Sequence, residues 1–249
     1  MNNLLSLEGK KLLITGASSG IGRSIAIECS HLGASVILVG RNKDRLQDTY
    51  DQMTPHVEHL IVAADLTAKD DLDKIVSIAQ NLDGVALCAG KGLTLPVAFS
   101  SRTKMDDLFE INFFSTVELL RLLYKKKCFH PYASVVAISS LGGTKVFRGF
   151  NSIYGASKSA LSSFMKFCAK EFSSRKIRVN LISPGMVDTP FIHRDTIMDE
   201  QLENDAQTYP LGRYGKPTDI AYMAVFLLSD LSSWVTGQDF IVDGGLSIR

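Results

Sequence analysis

Tyr154 and Lys158 stand four residues apart in the stretch Tyr-Gly-Ala-Ser-Lys. On a helix that spacing puts both side chains on one face, a turn apart, so a fixed positive charge sits beside a titratable phenol. Two unit charges about 4 Å apart at an effective dielectric of about 20 interact by roughly 4 kcal/mol, enough to bring a tyrosine from about 10 toward about 7, where it works as an acid or base near neutral pH. The chain holds seven tyrosines, and one such pair also arises by chance on a solvated helix. What the remaining residues place around the pair decides between these readings.

The second chemical feature is Thr15-Gly-Ala-Ser-Ser-Gly-Ile-Gly22, with glycines spaced Gly-x-x-x-Gly-x-Gly. A short apolar run, Lys11-Leu-Leu-Ile-Thr15, precedes it, and a helical pattern of Ile21, Ile25, Ala26 and Cys29 follows. In that context Gly16 makes the tight turn, Gly20 lets the backbone approach a pyrophosphate, and Gly22 lets the helix pack close to the strand. The helix N-terminus then favours negative charge. Ser18, Ser19 and Ile21 belong to the same cradle, and a dinucleotide site is expected rather than a plain turn.

The end of the second apolar run, Val36-Ile-Leu-Val39, tests which dinucleotide is bound. An acid there bonds a ribose 2′-hydroxyl, whereas an arginine pairs a 2′-phosphate. Gly40-Arg41-Asn42 follows, without a carboxylate, and the fork of Arg41 suits a phosphate. NADP(H) is therefore favoured over NAD(H); the alternative is an Arg41 stacked on the adenine or merely solvated. Asp65, after the third run, caps the next helix, reaches the adenine amino group, or does both.

These features need a scaffold, and the chain alternates strands and helices from end to end. Short apolar runs at 11–15, 36–39, 60–63, 85–89, 134–138, 177–182 and 240–242 read as parallel strands buried on both faces. Between them, helices are expected from about 20, over 42–52, from a Thr67/Asp70 start box to 81, over about 103–127, through Tyr154 to about 174, and over 217–229. Pro184, Gly185 and Pro190 break regular structure. The polar 189–215 region, with one short helix, reads as a substrate lid. The expected fold is α/β: a single-domain, Rossmann-type, doubly wound parallel sheet of about seven strands, occupying residues 1–249.

Composition narrows the partners. A net charge of +1 makes no overall case for nucleic acid or an anionic membrane, and no run of about 18 apolar residues offers a membrane span. Cys29, Cys88, Cys128 and Cys168 are scattered, without the spacing of a disulfide framework. The start, Met-Asn-Asn-Leu-Leu-Ser-Leu-Glu, lacks the basic and apolar regions of a signal peptide, so a cytoplasmic protein is expected. His56 and His59 have no further ligands to complete a metal set, and no metal is expected.

Taken in order, the glycine turn, Ser139-Ser140 after the fifth strand and the Tyr154-Lys158 pair resemble the short-chain dehydrogenase/reductase family, and its 3-oxoacyl-[acyl-carrier-protein] reductase-like members, from about Leu7 to Gly245. Asp65-Leu66, Ala89-Gly90, Asn112 in Glu-Ile-Asn-Phe, residues 177–185, residues 210–217 and Val242-Asp-Gly-Gly245 carry the same likeness. The resemblance implies that Ser140 bonds the substrate oxygen, Tyr154 delivers or removes its proton, and Lys158 lowers the tyrosine pKa and holds the nicotinamide ribose. Asn112 keeps a proton-relay water near Lys158. Pro184, Gly185, Val187 and Thr189 would bind the carboxamide end of the cofactor, with Leu66, Ala89 and Gly90 also along it.

The implied activity is NADP(H)-dependent reduction of a carbonyl to a secondary alcohol, or the reverse, with a 3-oxoacyl thioester as leading substrate. An acyl carrier protein is a candidate partner, and a homotetramer or homodimer is implied. A sugar, polyol or steroid dehydrogenase is the nearest rival; a dinucleotide-sensing regulator without turnover is the rival of another class. Leu87-Cys88-Ala89-Gly90 stands where the family often has Asn-Asn-Ala-Gly, so whatever those asparagines do must be done otherwise. Ser19 occupies a position that is frequently basic in NADP-preferring members. The Ser140 to Tyr154 stretch is about one residue longer than usual through Gly142-Gly143, which keeps Ser139 as the alternative catalytic serine. His193 in the lid is a further candidate for substrate contact. Arg175 either complements a helix end or meets an acidic carrier, and the small residues Gly155, Ala156, Ser159, Ala160, Ser162 and Ser163 serve a subunit interface or packing within the chain.

Overall fold

The computed structural model describes residues 5–192 and 199–248. Among them the apolar runs form seven strands: β1 (Lys11–Thr15), β2 (Ser35–Gly40), β3 (Leu60–Ala63), β4 (Leu82–Leu87), β5 (Phe129–Ile138), β6 (Arg178–Pro184) and β7 (Asp239–Val242). They pair in parallel in the order β3-β2-β1-β4-β5-β6-β7, the doubly wound sheet expected from the alternation. Successive strand residues point to opposite faces, and both faces are covered. Leu13, Val85, Val135 and Val179 join one core with α3 (Lys69–Ile78), α5 (Ser115–Lys125) and α6 (Ser152–Phe172). Leu12, Ile14, Ala86 and Val136 join the other with α1 (Gly20–His31) and α8 (Pro217–Leu228). Burial on both sides is why the strands read as unbroken apolar runs.

Local chemistry moves several boundaries. The helix expected over 103–127 is α4 (Arg102–Phe109), a π-helical turn (Glu110–Phe114) and α5 in succession. The Thr67/Asp70 start box does not form. The N-cap of α3 is Ala68, without a side-chain bond, because the Thr67 backbone N–H and hydroxyl both donate to Asp65 Oδ1, at 2.9 and 2.8 Å. α2 (Lys43–Tyr50) starts where Asn42 Oδ1 accepts the Arg45 N–H at 2.9 Å. β6 continues through Pro184, whose place at the strand end needs no N–H in the ladder. In the 189–215 region the short helix is α7 (Asp199–Gln207); His193 lies outside the described residues.

Near the β3 edge, His59 is buried. Its Nδ1 accepts the Val36 N–H at 3.2 Å, and Nε2 faces the Thr54 carbonyl at 3.1 Å, so both bonds require the neutral ring with its proton on Nε2. Burial lowers the His59 pKa, only partly opposed by the Thr54 carbonyl. The unfolded chain then binds the proton first as pH falls, and the stabilisation present above about pH 6.5 is lost toward the lower folded value. Urea midpoints of the wild type should decline across that window more steeply than those of His59→Gln; parallel profiles would assign the acid limb to other groups.

Candidate active site

The strand order reverses between β1 and β4, where open α/β sheets leave a crevice at the strand C-termini. A cleft of about 1780 Å³ occupies this place. It is lined by Gly16, Ser18, Ser19, Gly20, Ile21, Gly22, Arg41, Asn42, Asp65, Leu66, Ala89, Gly90, Ser140, Tyr154, Lys158, Pro184, Gly185, Val187 and Thr189. The site residues expected from sequence are thus brought to one wall or another of the same cleft, apart from Asn112, which lies behind it. Among the described residues no group of three or more His, Cys, Asp or Glu could hold a metal, and no helix is long and apolar enough to cross a membrane.

At one end, the turn after β1 is built for close approach. Gly20 has φ +53°, and a Cβ there would meet the Thr189 methyl at 3.2 Å; a Cβ on Gly22 would collide with the Gly16 carbonyl. α1 begins with no side-chain bond at its Ser19 N-cap, so its first N–H groups are suited to meet an anion. Arg23 locks the turn from behind, donating to the Ser18 carbonyl at 2.8 Å, the Arg45 carbonyl at 3.2 Å and Thr49 Oγ1 at 3.0 Å. Exposed Arg41 lines the cleft together with Arg45, one turn further along. The Arg41 charge also helps hold Asp65 below the ordinary carboxylate range, an effect that comes first from the Thr67 N–H. Asp65 is therefore a turn former whatever else it contacts.

Where the family often has asparagines, at the end of β4, the backbone is held from Thr15. Its buried Oγ1 accepts the N–H groups of Cys88 and Ala89, at 3.0 and 3.2 Å, which ties the end of β4 to the end of β1. Burial pushes the Cys88 thiol up to about 12.

At the other end, α6 carries Tyr154 and Lys158. Lys158 is 4% exposed, its Nζ donates to the Ile138 carbonyl at 2.9 Å, and burial lowers its pKa to about 8. A Cβ on Gly90 would lie 3.4 Å from Lys158 Nζ and 3.2 Å from Asn112 Oδ1, so both groups flank that glycine. Fully buried Asn112 sits in the π turn, where its Oδ1 accepts the Lys91 N–H at 2.8 Å and its Nδ2 donates to the Lys91 carbonyl and Ser157 Oγ, at 3.0 and 3.1 Å. A π turn inserts an extra residue into the helix and re-aims its side chains.

The two serines are separated by strand alternation. Ser139 Oγ is buried against α6, 2.6 Å from Ser162 Oγ and 3.2 Å from the Lys158 carbonyl. Ser140 faces the cleft, and its Oγ accepts the Gly142 N–H at 3.0 Å, leaving its own proton to be donated. A Cβ on Gly142 would stand 3.3 Å from Ser140 Oγ and 3.9 Å from the Tyr154 ring, so both side chains border one small space. Gly143, at φ +89°, packs directly on the Gly155 carbonyl, and Ser159 Oγ donates to the Gly143 carbonyl at 2.9 Å. Gly155 and Ser159 therefore serve packing within the chain. Arg175 also has internal partners: it donates to the Phe129 carbonyl at 2.8 Å and lies 5.6 Å over the Tyr124 ring.

Sequence reasoning missed Thr15, Arg23, Arg45 and Ser157. Of these, Arg45 carried a readable signal, standing four residues after Arg41 at the start of a helix; the others act through partners distant in sequence.

Comparison with known proteins agrees with the geometry. A family model described as enoyl-(acyl carrier protein) reductase matches residues 16–247. The 3-oxoacyl-[acyl-carrier-protein] reductase of Rickettsia prowazekii is 34% identical over 244 residues, covering 98% of this chain and 99% of that protein. Carbonyl reductase family member 4 of Danio rerio is 32% identical over 241 residues, covering 95% and 97%. The crystal structure of levodione reductase superposes with a TM-score of 0.88 at 27% identity, covering 96% of this chain and 98% of that one.

Replacing Thr15 by the near-isosteric Val leaves two N–H donors without their acceptor, which should lower stability by about 1–3 kcal/mol. Thermal melts of Thr15→Val check this, and an unchanged Tm would show that the β1–β4 tie is held by other contacts.

Proposed function

The chain belongs to the short-chain dehydrogenase/reductase family and is an oxidoreductase of carbonyl and hydroxyl groups; from that premise we propose that it reduces a 3-oxoacyl thioester with NADPH. The observation that carries this reading is the single cleft that runs from Arg41 and Arg45 to Ser140, Tyr154 and Lys158. A bound NADPH supplies the hydride. Ser140, already accepting the Gly142 N–H, donates its proton toward the carbonyl oxygen, and Tyr154 transfers its own proton there as negative charge develops. Lys158 keeps a cation beneath the phenol and meets the nicotinamide ribose, and Asn112 borders that cation across Gly90, where it orders a proton-relay water.

The residues present fit the cofactor. The Gly16–Gly22 turn, with Ser18, Ser19 and Ile21, takes the pyrophosphate at the start of α1, and Arg41 with Arg45 takes the 2′-phosphate beside Asn42. Asp65 and Leu66 meet the adenine, Ala89 and Gly90 the nicotinamide ribose, and Pro184, Gly185, Val187 and Thr189 the carboxamide. The described parts of the lid region, 189–192 and 199–215, would cover the substrate and belong to the same catalytic domain as the cofactor turn. We place the protein in the cytoplasm on its four unpaired thiols, with an acyl carrier protein delivering the thioester. Exposed Ala156, Ser163 and Phe167 on α6, with Phe114 nearby in the π turn, favour assembly of two or four subunits.

A panel of 3-oxoacyl thioesters on carrier protein and on coenzyme A, enoyl thioesters, cyclic ketones, steroids and sugars, assayed with both nicotinamides, tests the reading; turnover restricted to sugars would overturn it. With the active substrate, Tyr154→Phe should lower kcat by roughly 10²–10⁴-fold while leaving NADPH affinity unchanged. Turnover retained in that variant would remove Tyr154 as the acid.

Arg41 is tested separately by cofactor titration. Loss of a charge-assisted bond worth about 1.5–3 kcal/mol should weaken NADPH binding by roughly 10–100-fold in Arg41→Ala, with NADH nearly unaffected. Equal losses for both cofactors would show that Arg41 does not read the phosphate.

A further inference from the structure

Arg148 lies in the connection between Ser140 and Tyr154 and lines the cleft. Its Nη1 donates to Asp205 Oδ2 of α7 at 3.2 Å, and the hydroxyl of Tyr214 donates to the same oxygen at 2.7 Å. One carboxylate oxygen thus joins three segments that are separate in sequence. We propose that Arg148 is a positioning residue which, through Asp205 and Tyr214, holds the 146–150 wall of the cleft in place and thereby sets the affinity for substrates with an apolar body. The proposal rests on the reading of Ser140 and Tyr154 as the carbonyl site.

Four observations support it. The first is the placement of Asp205 on the last turn of α7, where the negative end of the helix disfavours a carboxylate; the guanidinium of Arg148 and the hydroxyl of Tyr214 offset that repulsion. Next, α7 reads Asp-Glu-Gln-Leu-Glu-Asn-Asp-Ala-Gln, with four acids and no base, and the facing connection carries Lys145 and Arg148, so the two elements are complementary in charge. Then, Leu202 is the one buried residue of α7 among those described, so apolar packing alone anchors the helix weakly and polar contacts weigh heavily in its position.

The fourth concerns what the clasp supports. Phe147 and Phe150, on either side of Arg148, line the cleft yet are 80% and 59% exposed. A thioester's acyl chain entering beside Ser140 would cover them, and burying that apolar surface favours binding. The clasp is also continuous with the catalytic end. Tyr214 packs edge-on against Tyr209 with ring centroids 5.4 Å apart, the Tyr209 hydroxyl accepts the Met186 N–H at 3.3 Å, and Tyr209 shares a small core with Leu141, next to Ser140. Arg148 itself lies within the 146–150 wall, whereas the strand ends are reached only at a remove, through the Tyr209 ring, so its loss should act first on the wall.

The test compares wild type, Arg148→Ala, Arg148→Lys and Tyr214→Phe by steady-state kinetics, NADPH titration and amide hydrogen exchange. Arg148→Ala should raise KM for a long-chain 3-oxoacyl thioester roughly tenfold with kcat and NADPH affinity within about twofold. KM for a short, polar ketone should change little, and exchange should speed up in 144–150 and 200–207 together. Arg148→Lys, which keeps the charge, should recover most of the wild-type KM at low salt and lose that recovery at high salt, with Tyr214→Phe intermediate. The proposal is overturned by an unchanged KM with unchanged exchange, by a fall in kcat at constant KM, or by a joint loss of NADPH affinity and Tm that marks a fold-wide defect. If the wild type reduces no thioester, the functional reading fails on its own, and the exchange data still decide whether Arg148 holds the two segments together.

Discussion

A lysine kept almost wholly out of water is the constraint on which the catalytic end depends. Removing an ammonium from water is unfavourable unless donors and dipoles around it restore what hydration supplied, and burial is what lowers Lys158 to about 8. The restoring group is the Ile138 carbonyl at the end of β5. At pH 7 the charge survives, held where solvent screens it little. Its position dictates much around it. Gly90 has no side chain that would crowd Nζ, and Asn112 must sit across that glycine, which it does from a helix turn widened by one residue. Ser139 turns inward to bond the Lys158 carbonyl and Ser162, so the next residue, Ser140, faces the cleft.

The cofactor end obeys a different constraint: backbone must approach backbone. Gly22 lies against the Gly16 carbonyl, and Gly16 lies against Ala89, where a Cβ would be 3.0 Å from the Ala89 nitrogen. Such contacts bring the ends of β1 and β4 close enough for one threonine hydroxyl to satisfy two N–H groups. Arg23 extends this rigidity sideways, because its three bonds join the glycine turn to α2, the helix that carries Arg45. A cation on a loose helix would lose affinity for an anion to ordering entropy; here the backbone of α2 is tied to the glycine turn in advance.

What could be read from the chain is what has a short period or a fixed spacing. The strands show as apolar runs because both faces are buried, the glycine turn because its spacing is local, and the Tyr154–Lys158 pair because four residues make one helical turn. The π turn was not legible, since Glu-Ile-Asn-Phe-Phe continues the helical pattern and only the fit of Asn112 to Lys91 and Ser157 selects the wider turn. The expected start box at Thr67 failed for a similar reason: Asp65 competes for the same hydroxyl and wins. Thr15, Arg23 and Arg148 act through partners brought near by the fold, and nothing in their own neighbourhood announces them.

The two ends of the cleft therefore differ in how they are held, and that difference explains why the reaction is more legible than its substrate. The glycine turn, Ser140, Tyr154 and Lys158 stand just after β-strands or on α6, elements anchored in two large cores. The end bordered by Leu141 and Tyr209 rests on a small core of buried Leu141, Tyr209 and Leu246, and on polar bonds among surface segments. Partly exposed ion pairs contribute little each, so such an end changes shape at small energetic cost, and substitutions there leave the strand-borne chemistry intact. A scaffold divided in this way can keep one proton-and-hydride transfer while exchanging the molecule that receives it.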